Sequence, residues 1–310
     1  MVNVTVDVPI SVGGRSVTTS WMAGELLRPT AGQPDVLVVM IPGATETSRY
    51  FEVTVKPEQH NSALALRRAG YSTLTLDRLG TRDSGHPPSR QVDTVTQARA
   101  VQAVVAAARN GDFGFTPSKI VAYGHSIGSM IAIAVEARRP TWDAMVLTGY
   151  AHAPAAEPIV AALYAGFVPA NESPELPNDG WDDGYLTSAP ATELETVPDD
   201  VAAYARQVMQ VVSHSEANAV DLTVASRITE CIEVPVLVAV GGEDAIFCGP
   251  LAPGNDCSSA ASLAATELPL FPRSPDARVT VIPGAGHEVQ LDSAAPRLAA
   301  EVAAFLRDVL

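Results

Sequence analysis

The segment GHSIG, residues 124–128, holds a serine between two glycines, where an apolar run gives way to a helical pattern. A serine hydroxyl is a poor nucleophile until a base removes its proton, and a histidine, which titrates near neutrality, can act as that base. A carboxylate can fix the tautomer of the histidine and stabilise its cation. The chain offers these three groups in Ser126, in Asp244 of GGEDAIF and in His287 of GAGHEVQLD.

Each of these three residues comes directly after a predicted strand. The strands are apolar runs at residues 119–123, 234–240 and 278–282. Because a parallel sheet binds ligands where its strands end, we expect the three side chains to meet at one edge of the sheet. A hydroxyl, an imidazole and a carboxylate at one place predict nucleophilic acyl transfer.

The two glycines of the segment have a steric explanation. A sharp turn from strand to helix crowds the residues on either side of the serine, so Gly124 and Gly128 must carry no side chain. The helix that starts at Ile127 then directs its first amides toward negative charge that develops on a substrate oxygen.

The rest of the chain alternates between predicted strands and helices. Gly13-Gly14 separates two antiparallel opening strands, and Thr94 and Gln97 have the spacing of a capping box at a helix start. Further strands are predicted at 36–41, 72–76 and 144–147, and helices at 61–68, 94–110, 127–138 and 258–268. This alternation predicts a mostly parallel sheet that is covered by helices on both faces.

The alternation stops in the middle of the chain. Between residues 151 and 230, Pro-rich and acidic loops are mixed with helical stretches, and no clear strand is predicted. We therefore predict an α/β core formed by residues 1–150 and 231–310, with an inserted, mainly helical cap at residues 151–230.

Composition excludes several classes of partner. The 310 residues carry a formal net charge of −15, with 47% hydrophobic and 18% charged residues. An acidic chain without a basic block repels phosphate backbones and anionic lipids, so we expect no nucleic-acid or membrane partner. No apolar run is long enough to span a bilayer, and the first residues lack a secretory signal pattern, which together predict a cytoplasmic location.

The three cysteines are too few and too widely spaced for a zinc site, and we expect no metal. Cys248 and Cys257 bracket a Gly/Pro-rich loop, FCGPLAPGNDC. They could form a small disulfide or remain two thiols, and the sequence leaves both readings open.

These motifs resemble those of the α/β-hydrolase superfamily, in particular its cap-bearing serine members. GHSIG is similar to the nucleophile elbow G-x-S-x-G, and the chain order Ser126, Asp244, His287 matches the order of the superfamily. LDRLGTRDSG resembles the D-x-x-G-x-G-x-S loop after the fourth strand, with Arg82 where glycine is common. The resemblance implies the α/β-hydrolase fold, a catalytic triad of these three residues, and no cofactor.

The resemblance also implies an oxyanion hole formed by the backbone amides of Ala44 and Ile127. The corresponding loop of the family usually carries His-Gly, whereas this chain has Pro42-Gly43. We assign Asp77 and Arg78, in the loop after the strand at 72–76, to loop structure rather than to chemistry.

Rival residues exist for the acid and the base. Glu243 adjoins Asp244, whereas the exit of the strand at 144–147 offers no carboxylate at once. The other histidines have other assignments. His60 and His214 lie in predicted helices, and His125 is expected to support the serine turn. His86 and His152 lie in loops that could line a pocket.

The sequence therefore predicts a serine hydrolase that cleaves a carboxylic ester, lactone or thioester through an acyl-enzyme. A mid-sized, largely apolar small molecule is expected as substrate, because caps enclose such molecules and the chain lacks a basic cluster. Relatives with an aspartate nucleophile are disfavoured by Ser126. Two alternatives stay open: a non-hydrolytic cyclase or isomerase on the same scaffold, and a ligand-binding pseudoenzyme. The oligomeric state is not predicted.

Overall fold

The computed structural model describes residues 2–12, 15–29, 31–153, 155, 157–174, 176, 181–188, 196–218 and 221–310. Its strands are β1 (Val2–Val12), β2 (Arg15–Leu27), β3 (Gln33–Ile41), β4 (Tyr71–Leu76), β5 (Lys119–His125), β6 (Ala144–Thr148), β7 (Phe167–Pro169), β8 (Tyr185–Ser188), β9 (Val212–Ser213), β10 (Val236–Gly241) and β11 (Ala277–Ile282). Its α-helices are α1 (Pro57–His60), α2 (Ser62–Arg68), α3 (Thr94–Asn110), α4 (Ile127–Arg138), α5 (Glu157–Gly166), α6 (Asp199–Val208), α7 (His214–Ala217), α8 (Asp221–Val224), α9 (Ala260–Glu267) and α10 (Ala295–Val309).

One eight-stranded sheet has the order β1-β2-β4-β3-β5-β6-β10-β11. The β1–β2 and β2–β4 pairs are antiparallel. All other neighbouring pairs, from β4–β3 to β10–β11, are parallel. The mostly parallel sheet that the alternating pattern predicts is therefore confirmed.

Strand β3 shows how the sheet is buried on both faces. Its apolar run predicts such burial, because a central parallel strand is covered by helices on each side. Leu37, Val39 and Ile41 belong to the cluster that includes residues of α3 and α4. The alternate residues Val36 and Val38 belong to the cluster that includes residues of α2 and α10. Two separate apolar cores thus hold the sheet in place.

Helix α3 begins differently from the prediction. The predicted capping box of Thr94 and Gln97 is wrong. Asp93 is the N-cap, and its carboxylate accepts the backbone N–H of Thr96 at 2.7 Å. The buried Gln97 side chain instead hydrogen-bonds the backbone N–H and C=O of Leu79, at 3.0 Å each, and donates to Glu216. Gln97 therefore supports the loop that follows β4.

The described residues between β6 and β10 contain helices α5 to α8 and a small antiparallel sheet of order β7-β8-β9. The sequence did not predict these strands, since segments of two to four residues are too short to show an alternating pattern. The predicted cap, residues 151–230, also includes stretches that lie outside the described residues, such as 177–180 and 189–195.

The turn from β5 to α4 is packed against the end of β3. A β-carbon at Gly128 would lie 2.0 Å from the carbonyl oxygen of Ile41, and one at Gly124 would lie 2.5 Å from the backbone of Ser129. Both distances are far below any normal contact. Glycine at these two positions therefore lets the helix start directly beside β3.

A disulfide joins Cys248 to Cys257, which resolves the choice that the sequence left open, and Cys231 is a free, exposed thiol. The cytoplasmic location stays a prediction. Among the described residues, no helix combines the length and the apolar character that crossing a bilayer requires.

Replacing Gly128 by alanine is expected to destabilise the fold, because the added methyl group meets the carbonyl of Ile41. We expect the free energy of unfolding in urea to fall by about 2 kcal/mol or more. Gly242→Ala is the matched control, since its β-carbon would have no neighbour closer than 3.5 Å. Equal losses in the two variants would contradict the steric explanation.

Thiol titration of the purified protein under non-reducing conditions should detect one thiol, and titration after reduction and unfolding should detect three. Because the bond closes a short loop, reduction should lower the free energy of unfolding by about 2 kcal/mol. Three thiols in the native, unreduced protein would show that the bond does not form.

Candidate active site

Ser126 occupies the turn between β5 and α4 in a strained conformation, with φ 51° and ψ −121°. A positive φ is uncommon for a residue with a side chain, and such strain is often found at functional sites. The backbone N–H of Ser126 donates to the carbonyl of Thr148 at 2.8 Å, and its own carbonyl accepts from Ser129 and Met130. The turn is thus held by β6 on one side and by α4 on the other.

The structure brings the three predicted residues together. His287 Nε2 lies 3.0 Å from Ser126 Oγ, and His287 Nδ1 lies 2.9 Å from Asp244 Oδ2. Because a carboxylate only accepts, Nδ1 carries the proton, and Nε2 is the acceptor of the serine hydroxyl hydrogen. A continuous chain of hydrogen bonds therefore runs from the hydroxyl to the carboxylate.

Asp244 is fixed by its own loop. Its side chain is fully buried, and Oδ1 accepts the backbone N–H groups of Ile246 and Phe247 at 2.9 and 3.1 Å. These bonds leave Oδ2 for His287. The rival carboxylate, Glu243, is exposed and its backbone N–H donates to Ala285. Burial and orientation thus distinguish the two neighbouring acids.

The loop after β3 runs beside the serine. A β-carbon at Gly43 would lie 3.1 Å from the β-carbon of Ser126. Within the described part of the chain, the N–H groups of Ala44 and Ile127 donate to no protein acceptor. The oxyanion assignment of these two amides stays a prediction.

Thr45, the next residue of this loop, has a φ of 58°, a conformation that needs support from its surroundings. Two residues of the segment between β6 and β10, hereafter called the insertion, supply that support. Thr45 Oγ1 lies 2.9 Å from Ser188 Oγ, and the N–H of Gln210 donates to the Thr45 carbonyl at 2.6 Å. The insertion therefore contacts the loop after β3 directly.

A second group of ionisable side chains lies behind the first. His125 is fully buried, and its Nε2 lies 3.4 Å from Glu288 Oε2 and 4.0 Å from Glu46 Oε1. Its ring stacks on Tyr50 with 4.5 Å between the centroids. Burial lowers the pKa of the His125 imidazole, and the neighbouring Glu288 carboxylate opposes this shift. Burial, reinforced by the charge of Glu288, also raises the pKa of Tyr50.

Sequence reasoning missed Glu46 and Glu288. Glu46 Oε2 accepts the N–H of Gly43 at 2.6 Å, so it shapes the loop that carries Ala44. Glu288 adjoins His287 in the chain, as His125 adjoins Ser126. Their position next to predicted site residues was the only signal available, and a position alone does not predict a carboxylate–imidazole contact.

Ligand atoms of His125, His287 and Glu288 lie within 4.8 Å of one another and could in principle hold a metal ion. Both ring nitrogens of His287 already face Ser126 and Asp244, however. A metal bound there would have to break one of these hydrogen bonds. The expectation of no metal and no cofactor stays a prediction.

The other histidines lie outside this group. His152 Nδ1 lies 2.9 Å from Glu267 Oε2, and its Nε2 lies 2.8 Å from Thr229 Oγ1, in a buried line of three residues. His86 is exposed and stacks over Trp181. His60 ends α1 and is buried, and His214 begins α7.

Comparison with solved structures finds the same fold in enzymes of low sequence identity. A thermophilic esterase from Thermogutta terrifontis, with malate bound, is 18% identical with a TM-score of 0.65, over 100% of this chain and 99% of that one. A bromoperoxidase from Bacillus anthracis is 15% identical with a TM-score of 0.60, over 98% of this chain and 100% of that one. Est1E from Butyrivibrio proteoclasticus, with ferulic acid bound, is 18% identical with a TM-score of 0.56, over 97% of this chain and 98% of that one.

No functionally curated protein matches the chain. The family model described as "Alpha/beta hydrolase family" does match it, over residues 38–301. That match extends from β3 to α10 and includes every residue of the site described above. With the sheet order and the strained serine turn, it shows that the chain belongs to the alpha/beta hydrolase family.

Proposed function

We propose that the protein is a serine hydrolase that cleaves a carboxylic ester, lactone or thioester. The observation that carries this proposal is the hydrogen-bonded chain from Ser126 through His287 to Asp244. A hydroxyl, an imidazole of fixed tautomer and a buried carboxylate are the groups that activate a serine for attack on a carbonyl. The two unengaged amides beside the serine support the same chemistry.

The first half of the reaction forms an acyl-enzyme. Ser126 Oγ attacks the substrate carbonyl carbon while His287 Nε2 takes the hydroxyl proton. The carbonyl oxygen becomes an oxyanion, which accepts hydrogen bonds from the amides of Ala44 and Ile127. The intermediate then expels the alcohol or thiol, which receives its proton from His287.

The second half releases the acid. A water molecule gives a proton to His287 Nε2 and attacks the acyl carbon, and the same amides stabilise the second oxyanion. Collapse of this intermediate returns the proton to Ser126 Oγ. Asp244 stays ionised throughout, since its role is to orient His287 and to stabilise the imidazolium. No cofactor takes part in any step.

The proposed substrate is a mid-sized, largely apolar small molecule. Glu46 and Glu288 lie beside His125, the residue before Ser126, and Asp244 lies beside His287. These three acidic side chains disfavour a second negative charge on the ligand. The Thermogutta terrifontis esterase among the structural neighbours supports an ester as the reacting group. We propose no nucleic-acid or membrane partner.

Intact-protein mass after exposure to a fluorophosphonate tests activation of the serine without knowledge of the substrate. Wild type should gain one adduct with loss of fluoride, whereas Ser126→Ala and His287→Ala should gain none. Ser129→Ala is the matched control, because this buried serine of α4 donates to the Thr148 carbonyl and does not contact His287. Labelling of Ser126→Ala, or an unlabelled wild type that also leaves p-nitrophenyl esters intact, would overturn the proposal.

Asp244→Asn should leave the fold intact and lower kcat for a p-nitrophenyl ester by about 10⁴-fold, because the amide favours the wrong tautomer of His287. Glu243→Gln, a change at the exposed neighbouring acid, should keep kcat within about threefold of wild type. Steady-state kinetics on the two variants side by side would assign the acid. The assignment fails if the Glu243 variant shows the larger loss.

A further inference from the structure

Arg78 is the largest fully buried side chain of the described residues, with 1% of it exposed, and it uses all of its nitrogens. Nε donates to the carbonyl of Gly43 at 3.1 Å, Nη1 to Glu216 Oε1 at 2.6 Å, and Nη2 to the carbonyl of Val211 at 3.0 Å. Removing a guanidinium from water is costly unless every donor finds a partner. This arginine is therefore held in one geometry by two segments of the chain, the loop at Gly43 and the stretch from Val211 to Glu216.

The bond to Gly43 bears directly on the proposed oxyanion hole. The Gly43 carbonyl and the Ala44 N–H belong to one planar trans peptide unit, in which the two groups point in opposite directions. When Arg78 holds the carbonyl on one side, the Ala44 N–H must point to the other. Because Gly43 has no side chain to hinder rotation, this hydrogen bond is a direct restraint on the orientation of the peptide.

The opposite end of the Gly43 residue is also fixed. Its N–H donates to Glu46 Oε2, and its carbonyl accepts from Arg78 Nε. Both backbone polar groups of Gly43 are therefore held by side chains. The family loop usually carries His-Gly at this place, and here the sequence is Pro42-Gly43. In the present chain, Arg78 and Glu46 both hydrogen-bond Gly43 itself.

The other partners of Arg78 belong to the insertion. Glu216 lies in α7, is fully buried, and forms a capping box with Ser213 at the start of that helix. Gln97 Nε2 donates to the same oxygen of Glu216 that Arg78 binds. Burial raises the pKa of the Glu216 carboxyl, and the charge of Arg78 opposes this rise. The insertion thus fixes Arg78 through Val211 and Glu216, and Arg78 in turn hydrogen-bonds the Gly43 carbonyl.

We propose that Arg78 is a positioning residue: it orients the Gly43–Ala44 peptide so that the Ala44 N–H can receive the oxyanion, and Glu216 makes this orientation depend on docking of the insertion. This inference rests on the proposed function. It assigns the insertion a part in the chemical step, in addition to any contact that the insertion makes with substrate.

The test compares the transition state with the ground state. Arg78→Lys keeps the charge but cannot reach three acceptors with one ammonium group, and Glu216→Gln removes the charge of the partner while it keeps hydrogen-bonding atoms. Each variant is measured for kcat and KM with a p-nitrophenyl ester. Each is also measured for binding of a trifluoromethyl ketone, which forms a tetrahedral oxyanion on Ser126, and of the corresponding alcohol, which does not.

We expect both variants to lower kcat by about tenfold to a hundredfold, less than the loss of a whole oxyanion donor. Affinity for the trifluoromethyl ketone should fall by the same factor, while KM and affinity for the alcohol change by less than about threefold. Glu267→Gln is the matched control, since Glu267 also joins the insertion to the core through a buried contact, by way of His152, but does not contact the loop after β3. Its kcat should change by less than about threefold.

Two results would overturn the inference. One is a folded Arg78→Lys or Glu216→Gln protein with unchanged kcat and ketone affinity. The other is a loss of kcat in both variants that is equalled in Glu267→Gln, or that is proportional to the loss of folded protein measured by circular dichroism. Either pattern indicates a role in stability alone. A wild-type protein that neither hydrolyses the ester nor reacts with the fluorophosphonate would instead refute the proposed function.

Discussion

The close approach of α4 to the end of β3 is the constraint on which the site depends. Gly128 lies against the Ile41 carbonyl with no room for a side chain, and this contact forces the chain to turn sharply at Ser126. The turn places the serine hydroxyl at the carboxyl edge of the sheet, where the loops after β10 and β11 bring Asp244 and His287. A wider approach would allow an ordinary turn, and the three groups would no longer share one edge.

Around this turn, the protein buries several ionisable side chains, among them Asp244 and Arg78, and each of these two has polar partners. Asp244 is satisfied by two amides and an imidazole, and Arg78 by two carbonyls and Glu216. In a medium of low dielectric such contacts are strong, and any group left without its partner is costly. The resulting rigidity suits a site in which dipoles must already point toward the charge that a reaction develops.

The sequence predicted the parts of the molecule that depend on local pattern. The apolar run of β3 indicated burial on both faces, and the order of strand exits indicated which hydroxyl, acid and imidazole would meet. The short strands β7 to β9 were not predicted, because pairing with each other rather than hydrophobic periodicity defines them. The contacts of Arg78 were not predicted for a similar reason: two of its partners, Val211 and Glu216, lie 133 and 138 residues away along the chain. Asp93 replaced the expected cap of α3 because the stronger capping residue stands one position earlier.

The buried line of Thr229, His152 and Glu267 has a consequence for the recognition of enzymes by geometry. Its two contacts, 2.8 and 2.9 Å, match those of Ser126, His287 and Asp244 almost atom for atom. A search of coordinates by interatomic distance alone would return two candidate triads from this one chain. Thr229 is completely enclosed, however, whereas Ser126 lies beside two unengaged amides. Templates for such searches should therefore score solvent access and nearby amide donors along with the three side chains.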